Sequence, residues 1–173
     1  MCAPPLRKKE DQDCLWKGLA DGTIQTVSTD HCSFTTEQKK LGEGDFTKIP
    51  GGMPGAETRG TLIYTYGVDK GRITKEDMCR VLSENPAKLY GLYPRKGVIA
   101  PGSDADHVIM RTGVEDVITA KDQVQNVDYA PFEGTKVTGR VESVFLRGLQ
   151  AVKDGKVVEE KKGEFLKRGK YAL

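Results

Sequence analysis

The chain changes character at Tyr93-Pro94, and this change constrains its fold more than any other feature. Before it, helical patterns of apolar residues alternate with one short run of β-forming residues. After it, short β-forming runs are separated by Gly, Pro and Asp. A helix followed by a strand that ends in polar residues is typical of an α/β architecture. We therefore predict an α/β or helical region over residues 1–92 and a mostly β region over residues 96–160.

Local signals predict the individual elements. Leu15, Trp16 and Leu19 share one helical face, and Asp21-Gly22 closes that helix. Thr74 to Asp77 fits a capping box, which opens another helix. Asp154-Gly155 between β-forming residues favours a type I′ hairpin turn. In chain order, the predicted elements are helix 8–20, strand 23–28, helices 57–66, 74–82 and 85–90, strands 97–99, 105–110 and 143–146, and hairpin 149–158.

Composition excludes several classes of function. The 27 Lys+Arg balance 25 Asp+Glu to a net charge of +2 with the signs interspersed, so we expect no nucleic-acid partner. No apolar run reaches the ~18–20 residues of a membrane span. The first residues carry no apolar core of a secretion signal. The 4 cysteines lack CxxC spacing and are expected to be reduced thiols. We therefore predict a cytoplasmic protein of one domain, or of two small ones, with no membrane partner.

Asp30 is the candidate catalytic and metal-binding residue. It follows the predicted strand 23–28, and in a (β/α)₈ barrel the catalytic groups stand at the carboxyl ends of the strands. A carboxylate there can bind a divalent metal or accept a proton. From spacing alone, a turn cap or a solvated loop carboxylate is the more common role for such a residue.

His31 and His107 are the 2 histidines of the chain. They cannot supply a three-histidine zinc site, and neither HxH nor HExxH spacing occurs. His107 lies in a predicted strand, so we expect a packed or surface strand residue. On an extended backbone His31 points away from the side of Asp30, which favours a supporting role over metal ligation. The glycine-rich loop over residues 33–55 lacks a phosphate-binding pattern, and its length is typical of functional or disordered loops.

Several strings of residues, in their order along the chain, carry a resemblance to a known family. They are Ala3-Pro4-Pro5-Leu6-Arg7, Thr29-Asp30-His31-Cys32-Ser33-Phe34, Glu37-Gln38-Lys39, Phe46-Thr47-Lys48-Ile49-Pro50, Asn85-Pro86-Ala87-Lys88-Leu89-Tyr90, Gly102-Ser103-Asp104-Ala105-Asp106, Gln125-Asn126-Val127-Asp128-Tyr129 and Phe132-Glu133-Gly134. With these strings the chain resembles dihydropyrimidinases and hydantoinases, cyclic amidohydrolases of the amidohydrolase superfamily.

The resemblance implies the fold and the domains. Residues 1–95 would be the last strand and helices of a metal-dependent hydrolase TIM (β/α)₈ barrel, and residues 96–160 part of a small composite β-sandwich. A charged C-terminal tail, 161–173, would follow. Because the family carries the rest of both domains upstream, we expect an incomplete fold. His107 stands where the family usually has Leu or Ile, which loosens the expected packing of the sandwich.

The resemblance also implies the site. Asp30 matches the family's last metal ligand, which binds one metal of a binuclear zinc pair and moves a proton to the leaving ring nitrogen. Ala3 and Gly51 match two substrate-binding positions that touch the ring imide through main-chain groups, although the family often has Ser and Asn there. The remaining zinc ligands lie upstream in the family.

The implied function is hydrolysis of the ring amide of dihydropyrimidines or hydantoins to N-carbamoyl amino acids. Two alternatives remain open: a dihydropyrimidinase-like scaffold protein without catalysis, and a sibling cyclic amidohydrolase such as an allantoinase. Retention of Asp30 favours an enzyme, since the scaffold relatives lose this aspartate. The partners would be a small cyclic imide or ureide and, in the complete protein, other copies in a homotetramer. We predict that the 173-residue chain alone is inactive.

Overall fold

The computed structural model describes residues 1–158 and 163–173, and in them α-helices precede Tyr93 and β-strands follow it. This division agrees with the predicted change of character. The α-helices are α1 (Lys9–Ala20), α2 (Thr36–Lys40), α3 (Arg59–Ile63), α4 (Lys75–Cys79) and α5 (Asn85–Leu89). The strands are β1 (His107–Val117), β2 (Lys136–Leu146), β3 (Leu149–Lys153) and β4 (Lys156–Val157). Of the helices in the described part, none is both long and apolar enough to span a bilayer.

Helix α1 confirms its prediction to within one residue. Glu10 and Asp11 lie in its first turn, where carboxylates interact favourably with the helix dipole, and the Asp11 side chain accepts the main-chain N–H of Lys8 at 3.0 Å. Its buried face carries Leu19, which packs with Ile73 and the fully buried Val81. This cluster is the core of the helical region.

The predicted strand 23–28 is wrong, because these residues form no strand in the structure. Their main-chain groups pair with helices instead: the Ile24 N–H donates to the Gly18 carbonyl at 2.8 Å, and the Val27 N–H donates to the Val81 carbonyl at 3.1 Å. A strand exists only beside another strand, and the described residues place none alongside this segment. The predicted strand 97–99 is wrong for the same reason.

The predicted helices over residues 74–90 form one continuous helical run. Helix α4 begins with the predicted capping box, in which the Thr74 hydroxyl accepts the Asp77 N–H at 3.0 Å. A wider helical turn, Arg80–Glu84, joins α4 directly to α5. Pro86 has no N–H to give to the preceding turn, which accounts for the wider turn before it. Pro86 lies in the first turn of α5, as predicted, although α5 follows the wider turn without a break.

The strands form one antiparallel sheet in the order β1-β2-β3-β4. The predicted strand 143–146 lies within β2, and the predicted strand 105–110 overlaps β1 from His107 onward; both β1 and β2 extend further than predicted. The rings of His107 and Phe145 stack at 4.4 Å. The predicted hairpin is confirmed. Asp154 and Gly155 have φ of 49° and 74°, the left-handed conformations of a type I′ turn. Register shifts divide the β1–β2 pairing into three parts.

The sheet rests on α3 and the wider turn after it. Ile118, Ala130 and Val137 form a second buried cluster against Leu62. Gly139 of β2 lies against the Tyr64 ring, where a Cβ on the glycine would be 2.4 Å from a ring carbon. Thus the helical and β regions pack tightly at this point.

The described end of the chain returns to the helical region. The Gly169 N–H donates to the Gly91 carbonyl at 2.7 Å, and the Ala172 N–H donates to the Lys88 carbonyl at 3.0 Å. Glu164 forms ion pairs with Arg95 and Arg147. The predicted boundary between the sandwich segment and the charged tail, at 160/161, lies outside the described residues.

Candidate functional site

Asp30 lies in a loop whose approach is held by the helical core. The buried Asn85 side chain donates to the Gln25 carbonyl at 2.8 Å, and the Val81 carbonyl accepts the Val27 N–H. Asp30 itself is exposed and has φ of 45°, a left-handed conformation that aspartate tolerates better than most residues. The carboxylate therefore stands on an anchored segment and is accessible to solvent.

His31 fastens the Asp30 segment to a second loop. Its Nδ1 accepts the main-chain N–H groups of Gly55 and Ala56, both at 3.1 Å. An Nδ1 that accepts two N–H groups leaves the ring proton of the neutral imidazole on Nε2. Next to it, the Cys32 N–H donates to the Met53 carbonyl at 3.3 Å. The structure thus joins the segment of Asp30 and His31 to residues 53–56.

Ala3 and Gly51 are neighbours in space. Both are exposed, and a Cβ built on Gly51 would lie 3.4 Å from the Ala3 Cβ. The adjacent Gly52 has φ of 131° and presses against Cys32, whose carbonyl oxygen would lie 2.6 Å from a Cβ on that glycine. Residues 1–3, 29–32 and 50–56 therefore adjoin one another, and we call these three segments the site loops.

Lys39 was given no role by the sequence, yet it contacts two of the site loops. It lies near the end of α2 and donates from Nζ to the carbonyls of Met1 at 3.0 Å, Pro50 at 2.6 Å and Gly52 at 2.7 Å. Its nitrogen also lies 5.3 Å from the centre of the Phe34 ring. The Glu37-Gln38-Lys39 string took part in the resemblance, but nothing local in the sequence indicates these contacts.

The segment between β1 and β2 secures the surroundings of the site loops. Asp128 accepts the Thr36 N–H at 2.8 Å at the start of α2, and this hydrogen bond holds the pKa of Asp128 below its ordinary value. Glu57, just after the site loops, accepts the N–H groups of Val124 and Gln125 at 3.0 to 3.1 Å. An open cavity of about 480 Å³ in this segment is lined by residues between 120 and 133, and none of the four predicted site residues lines it.

The resemblance implies a pair of zinc ions, which needs a set of several protein ligands. Among residues 1–158 and 163–173, no group of three or more His, Cys, Asp or Glu side chains is placed to hold a metal ion. Asp30 can give one oxygen ligand, while Nδ1 of His31 is engaged by main-chain N–H groups. The described residues therefore do not form a zinc site by themselves, and Asp30 fits only as one ligand of a larger set.

A family model described as the amidohydrolase family matches residues 1–158, so the chain belongs to the amidohydrolase family. The membership implies the TIM-barrel fold of that superfamily. The chain is 48% identical to a D-hydantoinase of Geobacillus stearothermophilus over 171 residues. These aligned residues make up 98% of this chain and 36% of that protein. The chain is 41% identical over 168 residues to a D-phenylhydantoinase of Escherichia coli, covering 96% of this chain and 36% of the relative.

Solved structures show the same likeness. A D-hydantoinase from a Bacillus species superposes with a TM-score of 0.96 at 45% identity, over 100% of this chain and 38% of that one. A dihydropyrimidinase from Brevibacillus agri gives a TM-score of 0.97 at 44% identity with the same coverage. The predicted resemblance to hydantoinases and dihydropyrimidinases is confirmed, and the chain spans little more than a third of the length of these relatives.

Proposed function

We propose that this chain is the C-terminal part of a metal-dependent cyclic amidohydrolase that opens dihydropyrimidines or hydantoins to N-carbamoyl amino acids. One observation carries the proposal: Asp30 is exposed and lies in the same group of loops as Ala3 and Gly51. Cys32, two residues after Asp30, lies against Gly52, and the adjacent Gly51 lies against Ala3. The identity of 48% to a D-hydantoinase supports the substrate class. In the complete protein Asp30, Ala3 and Gly51 would face one ring substrate.

Hydrolysis of a ring amide requires a group near the ring that carries a proton to the leaving nitrogen. Hydrolysis of a ring amide adds hydroxide to the carbonyl carbon and breaks the C–N bond, and the nitrogen leaves only when it is protonated. In this proposal Asp30 accepts the proton of the attacking water and gives it to the ring nitrogen. When bound, zinc would supply an acidic water and polarise the carbonyl. Main-chain groups of Ala3 and Gly51 would hold the imide.

On its own, the chain would form only part of a barrel and part of a sandwich. A closed (β/α)₈ barrel takes ~200 residues or more, and the chain covers 36% of its D-hydantoinase relative. Alone, the chain would be inactive and bind zinc weakly. It would also self-associate or require a partner segment, because unpaired sheet edges favour association. The complete protein would be a homotetramer in the cytoplasm.

A chimera tests the proposal. In it, this chain replaces the matching 36% of the Geobacillus stearothermophilus D-hydantoinase. The chimera should open dihydrouracil and 5-substituted hydantoins. Asp30→Ala should lower turnover at least ~10²–10⁴-fold, the usual contribution of a proton carrier, while substantial metal stays bound. Asp13→Ala, a change of another exposed aspartate on α1, is the matched control and should leave turnover unchanged.

Each alternative has its own outcome in this assay. Turnover of allantoin in preference to the other rings would indicate the sibling amidohydrolase. A folded, metal-loaded chimera that turns over no ring, beside an active parent enzyme, would indicate the scaffold protein. Turnover of Asp30→Ala within a few-fold of the unchanged chimera would contradict the role of Asp30.

A further inference from the structure

The ammonium group of Lys39 is fully used by main-chain carbonyls. A lysine has three N–H donors, and Lys39 directs them to the carbonyls of Met1, Pro50 and Gly52 at 2.6 to 3.0 Å. The partners are 38, 11 and 13 residues away along the chain. A half-buried cation that gathers three distant carbonyls fixes the geometry of the segments that carry them.

Little else joins these segments. Within the part of the chain that the structure describes, no main-chain hydrogen bond runs from residues 1–3 to residues 50–52. Lys39 is itself well anchored, because α2 opens with a capping box between Thr35 and Gln38 and its first N–H donates to Asp128. Lys39 therefore holds two of the site loops, residues 1–3 and 50–56, at the end of α2.

Because the peptide group is planar, the contact between Lys39 and the Pro50 carbonyl also fixes the direction of the Gly51 N–H. In a trans peptide the carbonyl of one residue and the N–H of the next point in opposite directions. The Pro50–Gly51 bond is trans, since the cis peptide bonds within residues 1–158 and 163–173 are at Ala3-Pro4 and Tyr93-Pro94. A Pro50 carbonyl held by Lys39 thus turns the Gly51 N–H away from the lysine. Among the described residues no main-chain carbonyl accepts that N–H, and Gly51 is exposed.

We propose that Lys39 is a positioning residue that holds the Pro50–Gly51 peptide with its N–H directed at a carbonyl oxygen of the cyclic imide. The inference rests on the proposed function, in which Gly51 binds the ring through its main chain. Glycine at this position leaves the peptide free to rotate, so an external tie is needed. Lys39 supplies it without touching the substrate.

The test compares Lys39→Met with Lys39→Arg and with the control Lys40→Met in the chimera. Lys40 is the neighbouring lysine; it is exposed and forms a surface ion pair with Glu37 at 3.8 Å. We expect Lys39→Met to raise KM for a 5-substituted hydantoin about 10- to 100-fold, the scale of a small misplacement of binding groups, with a smaller change in kcat and unchanged metal content. Lys39→Arg should recover part of the loss, because guanidinium also donates to carbonyls. Lys40→Met should match the unchanged chimera.

Hydrogen exchange of the peptide covering residues 50–56 gives a readout independent of turnover. Lys39→Met should speed exchange of the Gly55 and Ala56 amides, which donate to His31, and Lys40→Met should not. A KM within twofold of the unchanged chimera, or a fall in kcat alone, would overturn the proposal. If the unchanged chimera is inactive, the proposed function fails. The exchange data then decide on Lys39 separately, and equal exchange in both variants would overturn its role.

Discussion

The site loops and the four-stranded sheet are both held by hydrogen bonds to the main chain, but the partners differ. In the sheet, main-chain groups of adjacent strands pair with one another along β1, β2 and β3, so no single side chain is needed for their alignment. In the site loops, two side chains carry much of the connection: His31 receives two N–H groups and Lys39 donates to three carbonyls. The loops are therefore far more vulnerable to a single substitution than the sheet.

The sharpest test of this comparison uses two glycines with left-handed backbones. Gly52 has φ of 131° and lies against Cys32, whereas Gly113 in β1 has φ of 69° and nothing within 4 Å of a Cβ. Gly52→Ala should cost about 2–4 kcal/mol of local stability, from backbone strain plus overpacking. Gly113→Ala should cost only the backbone strain, about 1–2 kcal/mol. Hydrogen exchange of residues 50–56 and 107–117 in the chimera measures both, and equal losses would contradict the comparison.

The junction of the two regions gives the next largest effect. Gly139→Ala should lower the free energy of unfolding by about 1–3 kcal/mol, because a Cβ 2.4 Å from Tyr64 forces the ring to move. Gly60 in α3 is the matched control, since nothing lies within 4 Å of its Cβ position. There alanine should be neutral or stabilise the helix by up to about 1 kcal/mol. The thermal midpoints of the two variants check the prediction, and a Gly139→Ala midpoint equal to the parent's would refute it.

The smallest expected change in the free energy of unfolding comes from the capping box of α4, whose contribution depends on pH. Hydrogen bonds from Arg80 and Thr74 lower the pKa of Asp77 to about 2. A lowered folded-state pKa gives stability that is complete above the unfolded value of about 3.9 and is lost as pH falls towards 2. Asp77→Asn should therefore cost about 1 kcal/mol at neutral pH. Its thermal midpoint should approach the parent's as pH falls from 5 to 3, and a gap that stays constant would contradict the assignment.

Local signals in the sequence were enough for the elements that depend on local contacts. Helix α1, the capping box at Thr74 and the Asp154-Gly155 turn all join residues within four positions of one another. The strand predicted over 23–28 failed because strand formation requires a neighbour, which a run of β-forming residues does not reveal.

The candidate site shows the same limit. The resemblance singled out Ala3, Asp30 and Gly51, and the structure places Ala3 beside Gly51. The contacts of Lys39 with Met1 and of Asp128 with Thr36 span 38 and 92 residues, so no spacing rule could indicate them. Their roles depend on how loops fold back on the helical core, and this follows from the three-dimensional structure alone.

The return of residues 169–172 to α5 has a practical consequence for handling the protein. The last carbonyls of a helix have no donors within the helix, and here Gly169 and Ala172 supply N–H groups to Gly91 and Lys88 just where α5 ends. Removing residues 169–172 would leave the Gly91 carbonyl without its donor, whereas the Lys88 carbonyl would keep the Gly91 N–H at 3.1 Å. An affinity tag placed directly after Leu173 would crowd the same spot, so purification handles require a spacer at this end.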